Sequence, residues 1–375
     1  MEAIKGLLYR ILAVFTSINM LFSGVFSFLP KPVKVSEFDQ CKNVIFLIGD
    51  GMGFNSIAMA EDYLGRELES FDGFTLSGKS DTDSATARRT DSAAGGTALA
   101  TAVRVSIGTV GVYPDDVDAK RSYPMNLSEL AVSQDKSAGV VTTAKTWDAT
   151  PAAFSAHAAS RDDYKTIHRQ QSQSDLTLLW GDADSDLDLS LMEQSGFKIV
   201  TNEEQMDALT GSERSFGQFA SGTWNDEAAD AAGMPTLADM TAKAIDILDD
   251  DADGFFLMVE GAHIDKRSHD MDKKGMSQAL DSFDKAIKVA LDYAKANGDT
   301  LVIVTADHET GGITRIGSKY VYTVPDHTTA DVPLFVYGCN NFIQNGTLIE
   351  NREVARRVAC VMGELNFPIK VMVSR

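Results

Sequence analysis

The sequence predicts an α/β fold, a three-layer sandwich with a mostly parallel central sheet and helices on both faces. Two observations predict it. Short apolar runs alternate with helical patterns along the chain, and acidic residues or histidines directly follow several of those runs. Strand–helix alternation is typical of a parallel sheet covered by helices. Polar side chains after such strands point to a crevice at the carboxyl edge of the sheet.

The apolar runs have the length and composition of buried strands, and each is interpreted here as parallel to the others. In chain order they are NVIFLI, AGVVTT, GFFLMVE, TLVIVTA and VPLFVYG. Helical periodicity is clearest in TLADMTAKAIDILDD and ALDSFDKAIKVALDYAKANG. These elements predict one domain over residues 40–372, with polar insertions around 161–233.

The first 30 residues differ from the rest of the chain. Lys5 and Arg10 precede an uncharged apolar run over residues 11–29. A positive flank before an apolar run is typical of a secretory signal peptide, and the length of the run also fits a membrane anchor. We therefore expect the domain to be secreted or periplasmic, or else anchored on the outer side of a membrane.

The net charge of −20 argues against nucleic acid as a partner, because carboxylates repel phosphates. A phosphate ligand would need a local positive site built from metal ions or arginine. The three cysteines form no cluster that could hold zinc, and at most one disulfide is possible.

Acidic residues follow four of the predicted strands, namely Asp50, Asp148, Glu260 and Asp307, with His308 beside the last. Because the carboxyl ends of parallel strands gather at one edge, we expect these side chains to meet there. A single Asp after a strand is usually a turn residue or a helix cap. Four such ends together predict a metal site.

Three of the six histidines lie within five residues of an aspartate in the motifs that follow strands: His269 after Asp265, His308 beside Asp307, and His327 beside Asp326. Aspartate and neutral histidine are good zinc ligands, while carboxylates with hydroxyls suit magnesium. Of the other histidines, His157 and His263 are predicted to be structural, and His168 is expected on the surface.

Ser92 opens an Ala-rich helical segment after the polar run RRTD. It suits a helix N-cap. The same place also suits a nucleophile, because a helix N-terminus stabilises an anion. No Ser-His-Asp order and no G-x-S-x-G elbow are present, so metal coordination is the expected means of activating its hydroxyl.

Six ordered motifs resemble those of the alkaline phosphatase family, and the resemblance runs from about residue 43 to 338. They are GDGMG, TDSAAGGTA, DATPAAFSAHAASR, VEGAHIDKRSHD, TADHETGG and the late His327. The resemblance implies two Zn²⁺ ions and one Mg²⁺. The implied ligands are, for one zinc, Asp50, Asp307 and His308; for the other, Asp265, His269 and His327; and for magnesium, Asp50, Thr150 and Glu260.

The resemblance also assigns roles around the substrate. Ser92 would be the nucleophile, Arg161 would bind phosphate, and Asp91 would orient that arginine. Asp148 and Lys266 match the Asp/Lys pair of bacterial-type members. That pair would tune the magnesium site and reach phosphate through water, whereas an ordinary surface ion pair is the alternative.

The implied activity is hydrolysis of small phosphate monoesters through a phosphoserine. The alternatives are a phosphodiesterase of the same superfamily and a non-catalytic secreted metal- or phosphate-binding protein. The presence of Ser92, Thr150, Glu260 and Arg161 together favours the monoesterase. The resemblance implies a homodimer, although only 18 residues separate His308 from His327, where larger members insert a long crown.

Overall fold

The fold is built around strands that coincide with the apolar runs, in a computed structural model that describes residues 37–116, 119–211, 213–220, 222 and 224–373. The strands are β1 (Asn43–Gly49), β2 (Leu76–Ser80), β3 (Ser122–Pro124), β4 (Ser137–Lys145), β5 (Leu178–Asp182), β6 (Lys198–Val200), β7 (Ser215–Phe219), β8 (Phe255–Gly261), β9 (Thr300–Thr305), β10 (Thr314–Ile316), β11 (Lys319–Val321), β12 (Val332–Tyr337), β13 (Leu348–Ile349) and β14 (Lys370–Met372).

Ten of these strands form the central sheet, in the order β13-β2-β12-β9-β1-β8-β4-β5-β7-β6. The pairings are parallel except on both sides of β12. The prediction that VPLFVYG is a parallel strand is therefore wrong. A parallel return needs a crossover such as a helix, but the chain between β9 and β12 contains only the small β10–β11 hairpin, so β12 runs back antiparallel.

Helices cover both faces of this sheet. They are α1 (Phe54–Leu64), α2 (Ser92–Thr101), α3 (Leu127–Ser133), α4 (Ala149–Ala153), α5 (Tyr164–Gln173), α6 (Leu189–Gln194), α7 (Glu203–Asp207), α8 (Asp226–Ala232), α9 (Leu237–Leu248), α10 (His263–His269), α11 (Lys273–Asn297) and α12 (Asn351–Val361), with a 3₁₀ turn at Glu69–Gly73. The core lies in two layers, one on each side of β1. Val44 and Phe46 pack with α2, α3, α4 and α12, whereas Ile45 and Leu47 pack with α1, α9 and α11. The predicted three-layer α/β sandwich is confirmed.

The segment around 161–233 contributes to the main sheet. It carries β5, β7 and β6, which extend the sheet beyond β4 through parallel pairs. Short helices α5 to α8 connect these strands. β5 and β7 are almost entirely buried, and the exposed residues of the segment lie mainly in the helices and loops that connect the strands.

The predicted signal or anchor over residues 11–29 lies outside the described residues. Within the described part of the chain, no helix has the length and apolar character needed to cross a membrane. The three cysteines, Cys41, Cys339 and Cys360, are buried and not disulfide-bonded.

Candidate active site

The acidic residues predicted to converge lie at one edge of the sheet. In the ladder, Ile48 of β1 is paired with Glu260 of β8 on one side and with Thr305 of β9 on the other. Ile48 and Thr305 are neighbours in the ladder. Asp50 follows Ile48 by two residues and Asp307 follows Thr305 by two residues, so the two aspartates come together past the carboxyl ends of neighbouring strands.

A first group of side chains surrounds Nε2 of His308. The atoms around it are Oδ2 of Asp307 at 3.3 Å, Oδ1 of Asp50 at 3.5 Å and Oγ of Ser92 at 3.2 Å. The other oxygen of Asp307 accepts hydrogen bonds from the backbone N–H groups of Gly51 (3.2 Å) and His308 (3.0 Å). Those bonds turn the free oxygen of Asp307 toward the group.

The electrostatics of this first group favour a cation. Burial raises the pKa of Asp50 well above its usual range, and the nearby carboxylates of Asp307 and Asp265 raise it further. Burial lowers the pKa of His308 even though Asp307 acts to raise it. Among the described residues, Asp50 Oδ1 and Asp307 Oδ2 are buried and have no hydrogen-bond partner. A bound cation would satisfy both oxygens, so the donor set fits a metal ion.

A second group consists of Asp265, His269 and His327. The Nε2 atoms of the two histidines are 3.1 Å apart, and they lie 3.4 and 3.7 Å from Oδ1 of Asp265. Each Nδ1 is next to a backbone carbonyl, that of Pro325 for His269 (3.0 Å) and that of Thr90 for His327 (2.8 Å). If each Nδ1 carries the proton, both Nε2 lone pairs face the same point, which is the arrangement of metal-ligating histidines.

The carboxylate of Asp265 is the centre of this second group. Its hydrogen bond and charge raise the pKa of His269 to about 9. Burial acts to raise the pKa of Asp265 itself, but the hydrogen bond with His269 and the charges of His308 and His269 hold it below its usual range. The side chain therefore stays an anion, as a metal ligand must.

Glu260 lies near Asp50, and its charge helps to raise the pKa of Asp50. Thr150, the other predicted magnesium ligand, lies on α4, next to Gly96 of α2. Burial raises the pKa of Glu260 to about 8, although a hydrogen bond from the hydroxyl of Thr142 opposes the rise. The hydroxyl oxygen of Thr150 is buried and has no partner among the described residues. Two carboxylates and a hydroxyl would together make an all-oxygen donor set, which suits magnesium.

Ser92 is the first residue of α2. The N-cap is Asp91, whose carboxylate accepts from the backbone N–H of Ala94 at 3.0 Å. The helix fits against the loop after β9 because Gly95 has no side chain; a Cβ there would lie 2.7 Å from the carbonyl oxygen of Asp307. The glycine thus lets α2 bring the hydroxyl of Ser92 up to His308.

Arg161 lies between two carboxylates. Its guanidinium donates to Asp91 at 3.2 Å and to Asp148 at 3.1 Å, and Lys266 donates to the other oxygen of Asp148 at 2.7 Å. Burial acts to raise the pKa of Asp148, but Lys266 and Arg161 hold it below its usual range. The side chains of Arg161 and Lys266 remain 30% and 43% exposed, so both cations can still meet a ligand.

The remaining histidines are buried outside these groups. Nε2 of His157 lies 2.9 Å from Glu129, and His263 stacks on Trp224 with its ring centroid at 5.0 Å. The prediction that His168 lies on the surface is wrong. It is buried on α5, with Nε2 3.0 Å from the carbonyl of Asp188, because its helical face turns toward the sheet.

Several side chains and backbone groups that hold the predicted ligands in place could not be identified from the sequence. Thr142 reaches Glu260 only because β4 and β8 pair in that register. The hydroxyl of Thr310 donates to Asp265 and lies 3.2 Å from Nδ1 of His308. Thr310 belongs to the motif TADHETGG, which could have indicated its place at the site. No local sequence pattern indicates the contacts of Thr142 or of the backbone carbonyls of Thr90 and Pro325.

Comparison with known proteins identifies relatives of the chain. The family model described as alkaline phosphatase matches residues 41–178 and 179–358. Alkaline phosphatase 3 of Bacillus subtilis is 34% identical over 77% of this chain and 65% of its own length. Alkaline phosphatase 4 of the same bacterium is 34% identical over 85% of this chain and 74% of its own length.

Solved structures agree with this result. The alkaline phosphatase from the Antarctic bacterium TAB5 superimposes with a TM-score of 0.76 at 28% identity, over 87% of this chain and 99% of its own. A mutant of that enzyme has been solved with Mg bound in its M3 site. These findings support metal-dependent hydrolysis of phosphate monoesters as the activity. The chain belongs to the alkaline phosphatase family.

Proposed function

We propose that this chain hydrolyses phosphate monoesters through a phosphoserine at Ser92, with two zinc ions and one magnesium ion as cofactors. The observation that carries the proposal is the group around His308. Two buried carboxylate oxygens without partners among the described residues lie 3.3 and 3.5 Å from its Nε2, and the Ser92 hydroxyl lies 3.2 Å from the same atom.

Three groups of ligands support the cofactor proposal. Asp265, His269 and His327 lie close enough together to hold one zinc. Asp50 and Asp307 lie close to His308 and would hold the other zinc with it. Asp50, Glu260 and Thr150, whose hydroxyl oxygen is buried and without a partner among the described residues, would hold the magnesium. When bound, these ions would stabilise negative charge on the phosphoryl oxygens and lower the pKa of nearby hydroxyl groups. The mutant TAB5 enzyme with bound Mg supports a magnesium ion in this family.

The chain's own side chains position the phosphoryl group. Ser92 supplies the oxygen that attacks phosphorus, and it stands at the positive end of α2. Arg161 offers a planar fork that suits two phosphoryl oxygens, and Asp91 and Asp148 hold that fork in place. Lys266, bonded to Asp148, adds a second cation on the same side.

The proposal is tested by metal analysis combined with turnover of p-nitrophenyl phosphate. The chain loaded with zinc and magnesium should hydrolyse the ester and become transiently phosphorylated on Ser92. Undetectable hydrolysis by the loaded chain would leave a non-catalytic metal- or phosphate-binding protein as the better reading. A diester substrate such as bis-p-nitrophenyl phosphate should react far more slowly than the monoester; the reverse ratio would favour the phosphodiesterase.

Location and assembly stay predictions. Export through residues 11–29, as a cleaved signal or a membrane anchor, rests on the sequence pattern alone. The homodimer rests on the resemblance. Protease protection in intact cells and the mass of the purified protein in solution would check these two predictions separately.

A further inference from the structure

The segment before the nucleophile makes contact with His327, which is far away in the sequence. The carbonyl oxygen of Thr90 accepts from Nδ1 of His327 at 2.8 Å. The neighbouring residue Arg89 donates to Oδ2 of Asp326 at 2.6 Å, across 237 positions of sequence. Thr90 thus contacts the imidazole of His327, and Arg89 contacts the side chain of the preceding residue, Asp326.

Asp326 joins the two contacts. Its Oδ1 accepts the backbone N–H of His327 at 2.8 Å, while its Oδ2 accepts from Arg89. The carboxylate of Asp326 therefore holds the backbone of His327, and the carbonyl of Thr90, next to Arg89, holds the imidazole ring. These contacts form a closed ring of four residues, Arg89, Asp326, His327 and Thr90. They leave Nε2 of His327 facing Asp265 and His269.

The connection that carries His327 is held near its end by contacts within itself and by contacts from other segments, among them the one between Nδ1 of His269 and the carbonyl of Pro325 at 3.0 Å. It returns from β9 through the small β10–β11 hairpin, whose first strand is exposed at all three residues. Near its end it meets the rest of the site through the isolated bridge between Thr310 and His327 and through the bond from Gly311 N–H to the carbonyl of Asp326, at 3.1 Å. Both of these contacts are internal to the connection, whereas Arg89 comes from outside it.

We propose that Arg89 is a positioning residue for the cation site formed by Asp265, His269 and His327, acting through Asp326. Its ion pair with Asp326 fixes the backbone just before His327, so that the imidazole already faces Asp265 and His269 before a cation binds. This inference rests on the proposed function only in taking His327 as a metal ligand. It predicts a coupling between the nucleophile segment and cation affinity, because the same residues lie next to Ser92.

The exposure of this ion pair sets the size and character of the effect. The side chains of Arg89 and Asp326 are 54% and 53% exposed. Exposed pairs of this kind contribute little and are screened by salt, so the expected loss of affinity is about two- to five-fold and declines at high ionic strength. Arg88 is a matched control, since it is adjacent, 77% exposed, and no closer than 3.8 Å to Asp83.

The experiment measures zinc affinity in the full chain after metal removal, by competition with a chromogenic chelator and without any turnover. Parent, Arg89→Ala, Arg89→Lys, Arg88→Ala and His327→Ala are compared at about 0.05 M and about 0.5 M salt. Thermal unfolding of each metal-free variant checks that it is folded.

Three results are expected together. Arg89→Ala binds zinc about two- to five-fold more weakly than the parent at low salt, with a smaller difference at high salt. Arg89→Lys, which keeps the charge, lies closer to the parent than to Arg89→Ala. Arg88→Ala matches the parent.

Other results would overturn the inference. If Arg89→Ala matches the parent, if Arg88→Ala is weakened equally, or if the loss does not change with salt, Arg89 does not position the site. His327→Ala separates this failure from that of the proposed function. Loss of a zinc in His327→Ala with no change in Arg89→Ala refutes the positioning role alone, whereas full zinc content in His327→Ala refutes the ligand assignment on which it rests.

Discussion

The hydroxyl oxygen of Ser92 lies 3.2 Å from Nε2 of His308, although 216 positions separate the two residues in the sequence. Ser92 is placed by the first turn of α2, and His308 by the loop that follows β9. Because Asp50 and Asp307 approach the same nitrogen, the hydroxyl stands where the proposed cation ligands converge. Nucleophile and ligand set are therefore held by separate elements and can be altered separately.

Replacing Ser92 by Ala should abolish turnover and leave the fold and the metal content intact. The cap of α2 belongs to Asp91, so the helix keeps its N-terminal hydrogen bond. Loss of a nucleophile typically lowers kcat by about a thousandfold or more. Hydrolysis of p-nitrophenyl phosphate and metal content per chain measure the two effects. A variant that keeps a substantial part of the parent activity with full metal content would rule out Ser92 as the nucleophile.

Replacing Arg161 by Ala should weaken the binding of inorganic phosphate. The guanidinium is held by Asp91 and Asp148, and a charge-assisted hydrogen bond contributes about 1.5–3 kcal/mol, so the loss should be tenfold or more. Arg169→Ala is the control, because Arg169 is an exposed arginine on the nearby helix α5. Inhibition by phosphate measures the affinity. Equal inhibition constants for the two variants would contradict the role of Arg161.

His269 and His263 occupy the same short helix but should differ in their effect on metal content. Nε2 of His269 faces His327 and Asp265, whereas His263 lies against Trp224, and burial lowers the pKa of His263 to about 3. His269→Ala should lose about one zinc per chain, and His263→Ala should keep the parent content. Metal analysis after gel filtration measures both. An equal fall in the two variants would overturn this division of roles.

The metal-free protein should become less stable as the pH rises from about 4.3 to 8. Burial keeps the pKa of Glu260 near 8 in the folded chain, whereas an unfolded glutamate titrates near 4.3. Over that range the folded state binds more protons than the unfolded state, so the free energy of unfolding falls with rising pH. The effect should exceed about 1.4 kcal/mol, the equivalent of one pKa unit.

Urea unfolding of the metal-free chain at a series of pH values measures that slope. Glu260→Gln, which cannot ionise, should make the slope clearly less steep. The raised pKa values of Asp50 and His269 leave a smaller slope of the same sign. Added magnesium should also reduce the slope in the parent, because a cation replaces the proton. A parent and a Glu260→Gln variant with the same slope would show that Glu260 is not the group responsible.

Local pattern was enough for most of the elements. NVIFLI and TLVIVTA became β1 and β9 within one residue of the predicted limits, because a run buried on both faces carries its own signal. VPLFVYG was predicted as a strand but not with the right direction, since direction depends on the path of the connection and not on the run itself. The burial of His168 likewise depended on which side of α5 faces the sheet.

The sequence by itself determined the order of the motifs, the family and the residue types at the site. Asp265 and His269 are four positions apart in the sequence, a spacing that brings two side chains to one face of a helix, and both lie on α10. Only the tertiary structure decided the partners that aim those side chains. The carbonyl of Thr90 meets His327, Thr142 meets Glu260, and Arg89 meets Asp326 through contacts between segments far apart in the chain. Strand register and loop path set such contacts. Strands buried on both faces, such as β1 and β8, are nearly continuous apolar runs, so they lack the alternation that would mark their register in the sequence.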